Sequence, residues 1–131
     1  MGRPRVVLAD DLPEMLRKVT QLLQDDFDVV GSAQNGQEAM EAAKTLNPDL
    51  LVLDISMPIL NGIQVASRLR DSGCRAKVIF LTVHEDRDYV EAAFSVGALG
   101  YVLKSRVATD LMLAAQEALL GHKFASLFQP V

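Results

Sequence analysis

The sequence predicts an α/β fold, a doubly wound parallel sheet of five strands with five helices in (βα)5 order. Three observations carry that expectation. Short aliphatic runs of strand length alternate regularly with amphipathic stretches of helical spacing. The third and fourth runs are almost continuously apolar, as strands buried on both faces of a parallel sheet are. Proline, asparagine and glycine punctuate the joins between the two kinds of segment.

The strand candidates are Arg5–Ala9, Phe27–Ala33, Asp49–Leu53, Lys77–Thr82 and Leu99–Leu103. Between the first two, Met15, Leu16, Val19, Leu22 and Leu23 recur at helical spacing, and Ala39, Ala42, Ala43 and Leu46 do so after the second. Similar stretches run over Ile63–Leu69, Tyr89–Val96 and Leu111–Leu120. Pro13 sits where a first helical turn tolerates it, Asn47-Pro48 ends the second helix, and Gly97 and Gly121 close the fourth and fifth. Right-handed crossovers then place helices on both faces, and five strands favour the flavodoxin-like order 2-1-3-4-5.

At 131 residues the chain suits one domain, 1–131 with its core over about 5–121, and leaves no room for a second. No stretch approaches the ~18 apolar residues that a membrane span requires. The N-terminus MGRPRVVLADD reaches an acidic pair after a few apolar residues, unlike a signal peptide, so a cytoplasmic location is expected. The single cysteine, Cys74, lies between Gly73 and Arg75 and reads as a turn residue. A net charge of −4, from 17 acids against 13 bases, argues against direct nucleic-acid binding by this segment.

In a doubly wound sheet, ligands bind beyond the carboxyl ends of the strands where the strand order reverses, here between the first and third. The first strand ends in Asp10-Asp11, the third in Asp54, the fourth in Thr82 and the fifth in Lys104. Taken alone, the acidic pair fits a helix N-cap equally well, Asp54 a loop acid, Lys104 a surface cation and Thr82 a β-branched strand residue. Their convergence changes the balance. Three carboxylates at one place repel, raise one another's pKa, and cost stability unless a cation lies among them.

Oxygen ligands with room for water and a phosphoryl oxygen suit Mg²⁺ better than a dedicated Ca²⁺ cage. The two histidines, His84 and His122, are too few and too far apart for a zinc site, and His84 reads as a solvated loop residue. A carboxylate beside Mg²⁺ can attack phosphorus and become an aspartyl-phosphate. Lys104 and Thr82 could then hold the phosphoryl oxygens.

These residues stand within longer motifs: Leu8-Ala-Asp-Asp11, Leu53-Asp-Ile-Ser-Met-Pro58 with Asn61-Gly62, Leu81-Thr82, and Gly97-Ala-Leu-Gly-Tyr-Val-Leu-Lys104. In order and spacing they resemble the receiver domain of two-component response regulators, over nearly the whole chain. The resemblance implies a signalling switch rather than an enzyme, one that catalyses only its own phosphorylation and dephosphorylation. Asp54 would accept phosphate from a histidine kinase. Asp11 would bind Mg²⁺ directly and Asp10 through water, with Asp54 and the backbone carbonyl of Ser56 completing the protein's share. Thr82 and Lys104 would contact the phosphoryl group, and Tyr101 would rotate inward as Thr82 moves. As a bland alternative, Tyr101 is an amphipathic strand residue with a wet hydroxyl.

Departures are few. Ser105 follows Lys104 where many receivers have proline, often across a cis peptide, a geometry that would cost about 2.5–4 kcal/mol before a non-proline residue. Val83 is bulkier than the alanine or glycine common after the threonine. Ser56 and His84 fall at two variable positions that tune phosphate lifetime in the family. Leu81-Thr-Val-His-Glu-Asp86 and Gly100-Tyr-Val-Leu-Lys-Ser105 look most like the NarL-type subgroup, whose members usually carry a C-terminal helix-turn-helix domain.

The chain ends before such an output domain, so a piece of a longer transcriptional regulator is expected, with a stand-alone receiver as the alternative and DNA contacted only through the missing part. The resemblance implies a phosphorylation-dependent homodimer through the fourth helix, with Asp86, Arg87, Asp88 and Glu91, and the fifth, with Arg106 and Asp110, a solvated helix surface being the alternative. Other readings fit less well. A haloacid-dehalogenase-like phosphatase usually has a second Asp two residues after the nucleophile, where Ser56 stands. A nucleotide-binding protein would need a Gly-rich loop, and the first strand leads into Asp-Asp-Leu-Pro.

Overall fold

The computed structural model describes residues 2–128. Strands β1 (Arg5–Ala9), β2 (Asp28–Ala33), β3 (Leu50–Leu53), β4 (Lys77–Thr82) and β5 (Gly100–Leu103) alternate with helices α1 (Pro13–Leu23), α2 (Gly36–Leu46), α3 (Gly62–Asp71), α4 (Arg87–Ser95) and α5 (Val107–Leu119). A two-residue strand, β6 (Phe124–Ala125), follows. All pairings are parallel, in the order β2-β1-β3-β4-β5-β6. The expected order therefore holds, with one correction: among the described residues the sheet has six strands, because the segment after α5 pairs with the free edge of β5.

The strand sequences explain the layering. Successive side chains point to opposite faces, so an unbroken apolar run supplies two cores at once. Val7, Ala9, Leu51, Leu53, Phe80 and Tyr101 pack with Ala39 and Ala43 of α2, Val65 and Leu69 of α3 and Val90 and Ala93 of α4. Val6, Leu8, Leu50, Val52, Ile79, Leu81 and Val102 pack with Val19 and Leu23 of α1 and Leu111, Ala114 and Ala118 of α5. Each fully buried Leu, Ile or Phe contributes roughly 1.5–3 kcal/mol from its removal from water. A polar residue within either central strand would forfeit that on one face.

Helix ends are fixed locally. Asn35 caps α2 by accepting the Glu38 N–H at 2.9 Å, and Asn61 and Gln64 form a reciprocal capping box at the start of α3. Asn47 ends α2 in the left-handed conformation, φ 47°, and the Lys104–Ser105 peptide is trans. Among the described residues no helix is long and apolar enough to cross a membrane.

Asp110 departs from the expected surface charge. It is 7 % exposed and is held by Arg106, Ser126 and Thr109. The Arg106 hydrogen bond, aided by Ser126 and Thr109, lowers its pKa against the effect of burial. Because the folded value is depressed, this stabilisation is present above the ordinary Asp range of about 3.9 and is lost as pH falls through the folded value. Urea midpoints across the acid range should show a shallower loss of stability in Asp110→Asn than in the native chain; identical slopes would count against this role.

Gly62 opens α3 directly under the third strand end. A Cβ there would lie 2.2 Å from the backbone oxygen of Asp54, and Gly62 N–H donates to the Ile55 carbonyl at 2.8 Å. Only glycine allows that approach. Gly62→Ala should therefore destabilise the fold by about 2 kcal/mol or more, read as a lowered urea midpoint. An unchanged midpoint would show that the loop can yield.

Candidate functional site

The parallel sheet brings the carboxyl ends of β1, β3, β4 and β5 side by side. Ala9 pairs with Leu53, and the Asp54 N–H donates to the Ala9 carbonyl at 2.8 Å, so Asp10 and Asp54 leave adjacent strands at the same level. One carboxylate oxygen each from Asp10, Asp11 and Asp54 lies within 4.8 Å of the others. Asp10 and Asp54 are buried and Asp11 is exposed, so the cluster opens to solvent on the Asp11 side.

The helix-cap alternative for the acidic pair does not hold. Leu12 is the cap residue of α1 and makes no side-chain cap, while its own N–H donates to Asp10 Oδ1 at 2.9 Å. That bond turns the chain tightly and leaves Asp10 Oδ2 facing the cluster.

Lys104 supplies the counter-charge. Its Nζ stands 2.8 Å from Asp10 Oδ2 and 3.1 Å from Asp54 Oδ2, with its side chain 10 % exposed. Apart from that ion pair, Asp10 Oδ2 has no hydrogen-bond partner among the described residues. Burial works to lower the Lys104 pKa, but the hydrogen bonds and charges of Asp10 and Asp54 outweigh it and hold the ammonium above its usual value. The Asp54 carboxyl is raised, chiefly by burial and then by the Asp10 charge, with Lys104 and the Ser56 N–H opposing. A buried carboxylate pair with one ammonium thus remains short of positive charge.

Asp54 Oδ1 accepts the Ser56 N–H at 3.2 Å. Beyond it the loop makes a tight turn in which the Leu60 N–H donates to the Pro58 carbonyl, and Ile59 takes φ 73°, a costly conformation for a β-branched residue. The strain lies a few residues from the cluster and fixes the loop that carries Asp54 into α3.

Thr82 is fully buried at the end of β4, and its hydroxyl accepts the His84 N–H at 3.2 Å. It does not hydrogen-bond Asp54. Tyr101 is also fully buried, and its hydroxyl donates to the His84 carbonyl at 2.7 Å. The alternative of a wet hydroxyl is not found, and the inward rotation expected of Tyr101 has no room here, because the ring already lies inward with its polar end satisfied by backbone. Burial, then the charge of Asp86, pushes the Tyr101 phenol well above its ordinary range.

His84 stands at a variable position in the sequence reading, as a solvated loop residue, and what that reading missed is its contacts. Its Nε2 is 2.7 Å from Ser56 Oγ, and its ring stacks on Tyr89 with centroids 4.0 Å apart and planes 11° from parallel. It joins the Asp54 loop to the start of α4. No local pattern marks this, because Ser56 is 28 residues away in the chain. Val83 beside it is 65 % exposed.

A cleft of about 300 Å³ lies elsewhere, at the far end of the sheet, lined by Leu51, Arg70, Cys74 and Lys77 among others. It lacks convergent acids. The carboxylate cluster is the better candidate because it concentrates buried charge and an under-compensated oxygen.

A protein-family model described as the response regulator receiver domain matches residues 6–116. The chain belongs to that family. The receiver is 38 % identical over 124 residues to the uncharacterized transcriptional regulatory protein YvfU of Bacillus subtilis, covering 93 % of this chain and 62 % of that protein. It is 35 % identical over 123 residues to the nitrate/nitrite response regulator NarL of Escherichia coli K12, covering 92 % of this chain and 57 % of NarL. The receiver thus spans roughly three-fifths of these two relatives. Its fold matches the signal receiver domain of the putative response regulator NarL of Mycobacterium tuberculosis with a TM-score of 0.89 at 31 % identity, over 93 % of this chain and 100 % of that one.

The site geometry sets a stability test. Removing the Asp54 charge relieves burial and repulsion from Asp10 while leaving Lys104 its partner in Asp10. Without divalent cations at neutral pH, Asp54→Asn should be more stable than the native chain by on the order of 1 kcal/mol in urea unfolding. A destabilised variant would mean that the Asp54–Lys104 pair outweighs both costs.

Proposed function

We propose that this receiver accepts a phosphoryl group on Asp54 from the phosphohistidine of a partner histidine kinase and controls a transcriptional output. The observation that carries the reading is the cluster itself: Asp54 buried at a strand end, with Asp10 and Asp11 within 4.8 Å and Lys104 at 3.1 Å. In the transfer, an Asp54 carboxylate oxygen attacks phosphorus, the P–N bond breaks, and its electron pair leaves on the imidazole nitrogen.

The residues fit Mg²⁺. Asp10 Oδ2 is a buried acceptor with a single partner, Asp11 is open to solvent, and the donor set is all oxygen. Asp10, Asp11, Asp54 and the Ser56 carbonyl would hold the ion, Asp11 directly and Asp10 mainly through water. Bound there, it would offset the excess carboxylate charge and draw density from the phosphoryl oxygens.

Lys104 then moves from Asp54 to a phosphoryl oxygen, a short change because its Nζ already stands beside the acceptor. The Thr82 hydroxyl turns from the His84 N–H to the phosphoryl group. With Tyr101 already inward, the surface of α4, β5 and α5 carries the change to a partner. Control of transcription would pass through a further domain; the additional length of the regulators it resembles supports that over a stand-alone role.

Incubation with Mg²⁺ and a small phosphodonor, followed by intact-mass measurement, should add one phosphoryl group to the native chain and none to Asp54→Ala. A native chain that gains nothing would sink the proposal. Separately, Mg²⁺ at about 100 times its dissociation constant should stabilise the native chain by about 2.7 kcal/mol. Asp11→Ala should lose most of that gain, and an equal gain in both would place the ion elsewhere.

A further inference from the structure

The surface on which the proposed output depends is not open. Residues 123–128 lie along it, between α4 and α5, and complete the sheet edge. The Phe124 N–H donates to the Leu99 carbonyl at 2.9 Å and the Ser126 N–H to the Tyr101 carbonyl at 2.8 Å. Ser126 Oγ accepts the Leu103 N–H at 3.1 Å and donates to Asp110 Oδ2 at 2.7 Å, which ties the segment to β5 and α5 together. Ala125 is fully buried, Leu127 packs against the core on the α4 side, and Phe124 packs against the core on the α5 side.

The same segment also grips α4 at both ends. Lys123 Nζ lies 5.8 Å from the centre of the Phe94 ring, and the Arg87 guanidinium lies 4.4 Å above the Phe128 ring. A parallel partner of β5 runs antiparallel to α4, so these contacts fall near opposite ends of that helix. One short segment is thus bonded to a strand, to the helix after it and to the helix before it.

Its contacts meet the proposed switch at a few atoms. Thr82 Oγ1 holds the His84 N–H, the His84 carbonyl holds the Tyr101 hydroxyl, and Tyr101 is the residue beside Ala125 in the β5–β6 ladder. When the Thr82 hydroxyl turns to a phosphoryl group, the His84 N–H loses its partner. The loop into α4 then rearranges, and Arg87 is the first residue of α4. A segment bonded to both β5 and α4 cannot keep both sets of contacts when the two move relative to each other.

We propose that residues 123–128 form a strap that covers the β5 edge and that phosphorylation of Asp54 undocks it, freeing the edge strand and the face of α4 and α5. This rests on the receiver reading above. It changes the dimer expectation: with Asp110 buried and β5 paired, an open α4–β5–α5 face exists only once the strap has left. Coupling of this kind is reciprocal, so weakening the strap must favour the phosphorylated form by the same factor.

The test is hydrogen exchange on the full chain in Mg²⁺, with and without beryllofluoride as the phosphoryl mimic. The amides of Phe124 and Ser126 should exchange about tenfold faster with the mimic. Phe128→Ala, which removes the ring beneath Arg87, and Ser126→Ala should each bind the mimic about fivefold more tightly than the native chain. Slower exchange around Asp54 on adding the mimic, with unchanged or slower exchange at Phe124 and Ser126, would overturn the strap and leave the receiver reading intact. Faster strap exchange with no gain in affinity in either variant would overturn the coupling. No effect of the mimic anywhere would overturn the phosphoacceptor proposal, and the strap proposal with it.

Discussion

Two buried carboxylates and an exposed third are held at one end of the sheet against a single ammonium, and much of the molecule is arranged to make that possible. Asp10 and Asp54 leave neighbouring parallel strands at the same level, a convergence that an antiparallel pair would not give at one sheet end. Lys104 reaches both from β5, two strands beyond β3. The close approach at Gly62, the strained turn at Ile59 and the Leu12 N–H on Asp10 are local devices that hold the acids where burial and repulsion oppose them. The fold stores that cost because the hydrophobic layers on either face are large enough to carry it.

Such a site is visible in sequence because each of its members is local to a strand end. The apolar runs of β3 and β4 say that both faces are covered, which fixes a parallel sheet, and the sheet then says that strand-end residues meet. Asp10, Asp11, Asp54 and Lys104 could therefore be placed together without any knowledge of the loops. Thr82 was placed correctly at its strand end, but its partner was not foreseen, because the His84 N–H depends on how the following loop turns.

What escaped the sequence reading was non-local. Phe124–Ala125 has neither the length nor the alternation that marks a strand, and it is extended because β5 offers it an unpaired edge. Asp110 looked like a solvent-facing charge on a helix; its burial follows from Ser126, sixteen residues later, folding back over it. His84 looked like a solvated loop residue, and its bond to Ser56 and stack on Tyr89 join three separate parts of the chain. These three misreadings cluster around the same region, the loops and edge that flank β4 and β5. The central strands are over-determined by hydrophobic pattern, whereas this margin is set by contacts between elements.

That margin is also where a signal could leave the site. β5 carries Lys104 after its carboxyl end, Tyr101 within it and the strap along its edge, yet a strand hydrogen-bonded on both sides is stiff and cannot itself move far. Motion has to pass through the weaker neighbour. The loop from Val83 to Asp86 is held by two backbone hydrogen bonds to side chains, Thr82 Oγ1 and Tyr101 Oη, and by the His84 ring. Under the proposed phosphorylation, taking away the first of these would shift α4 without breaking the sheet. As proposed, such a switch would keep its buried charges fixed in the rigid part and place its moving contacts where each is worth only about 1 kcal/mol, within reach of one phosphoryl group.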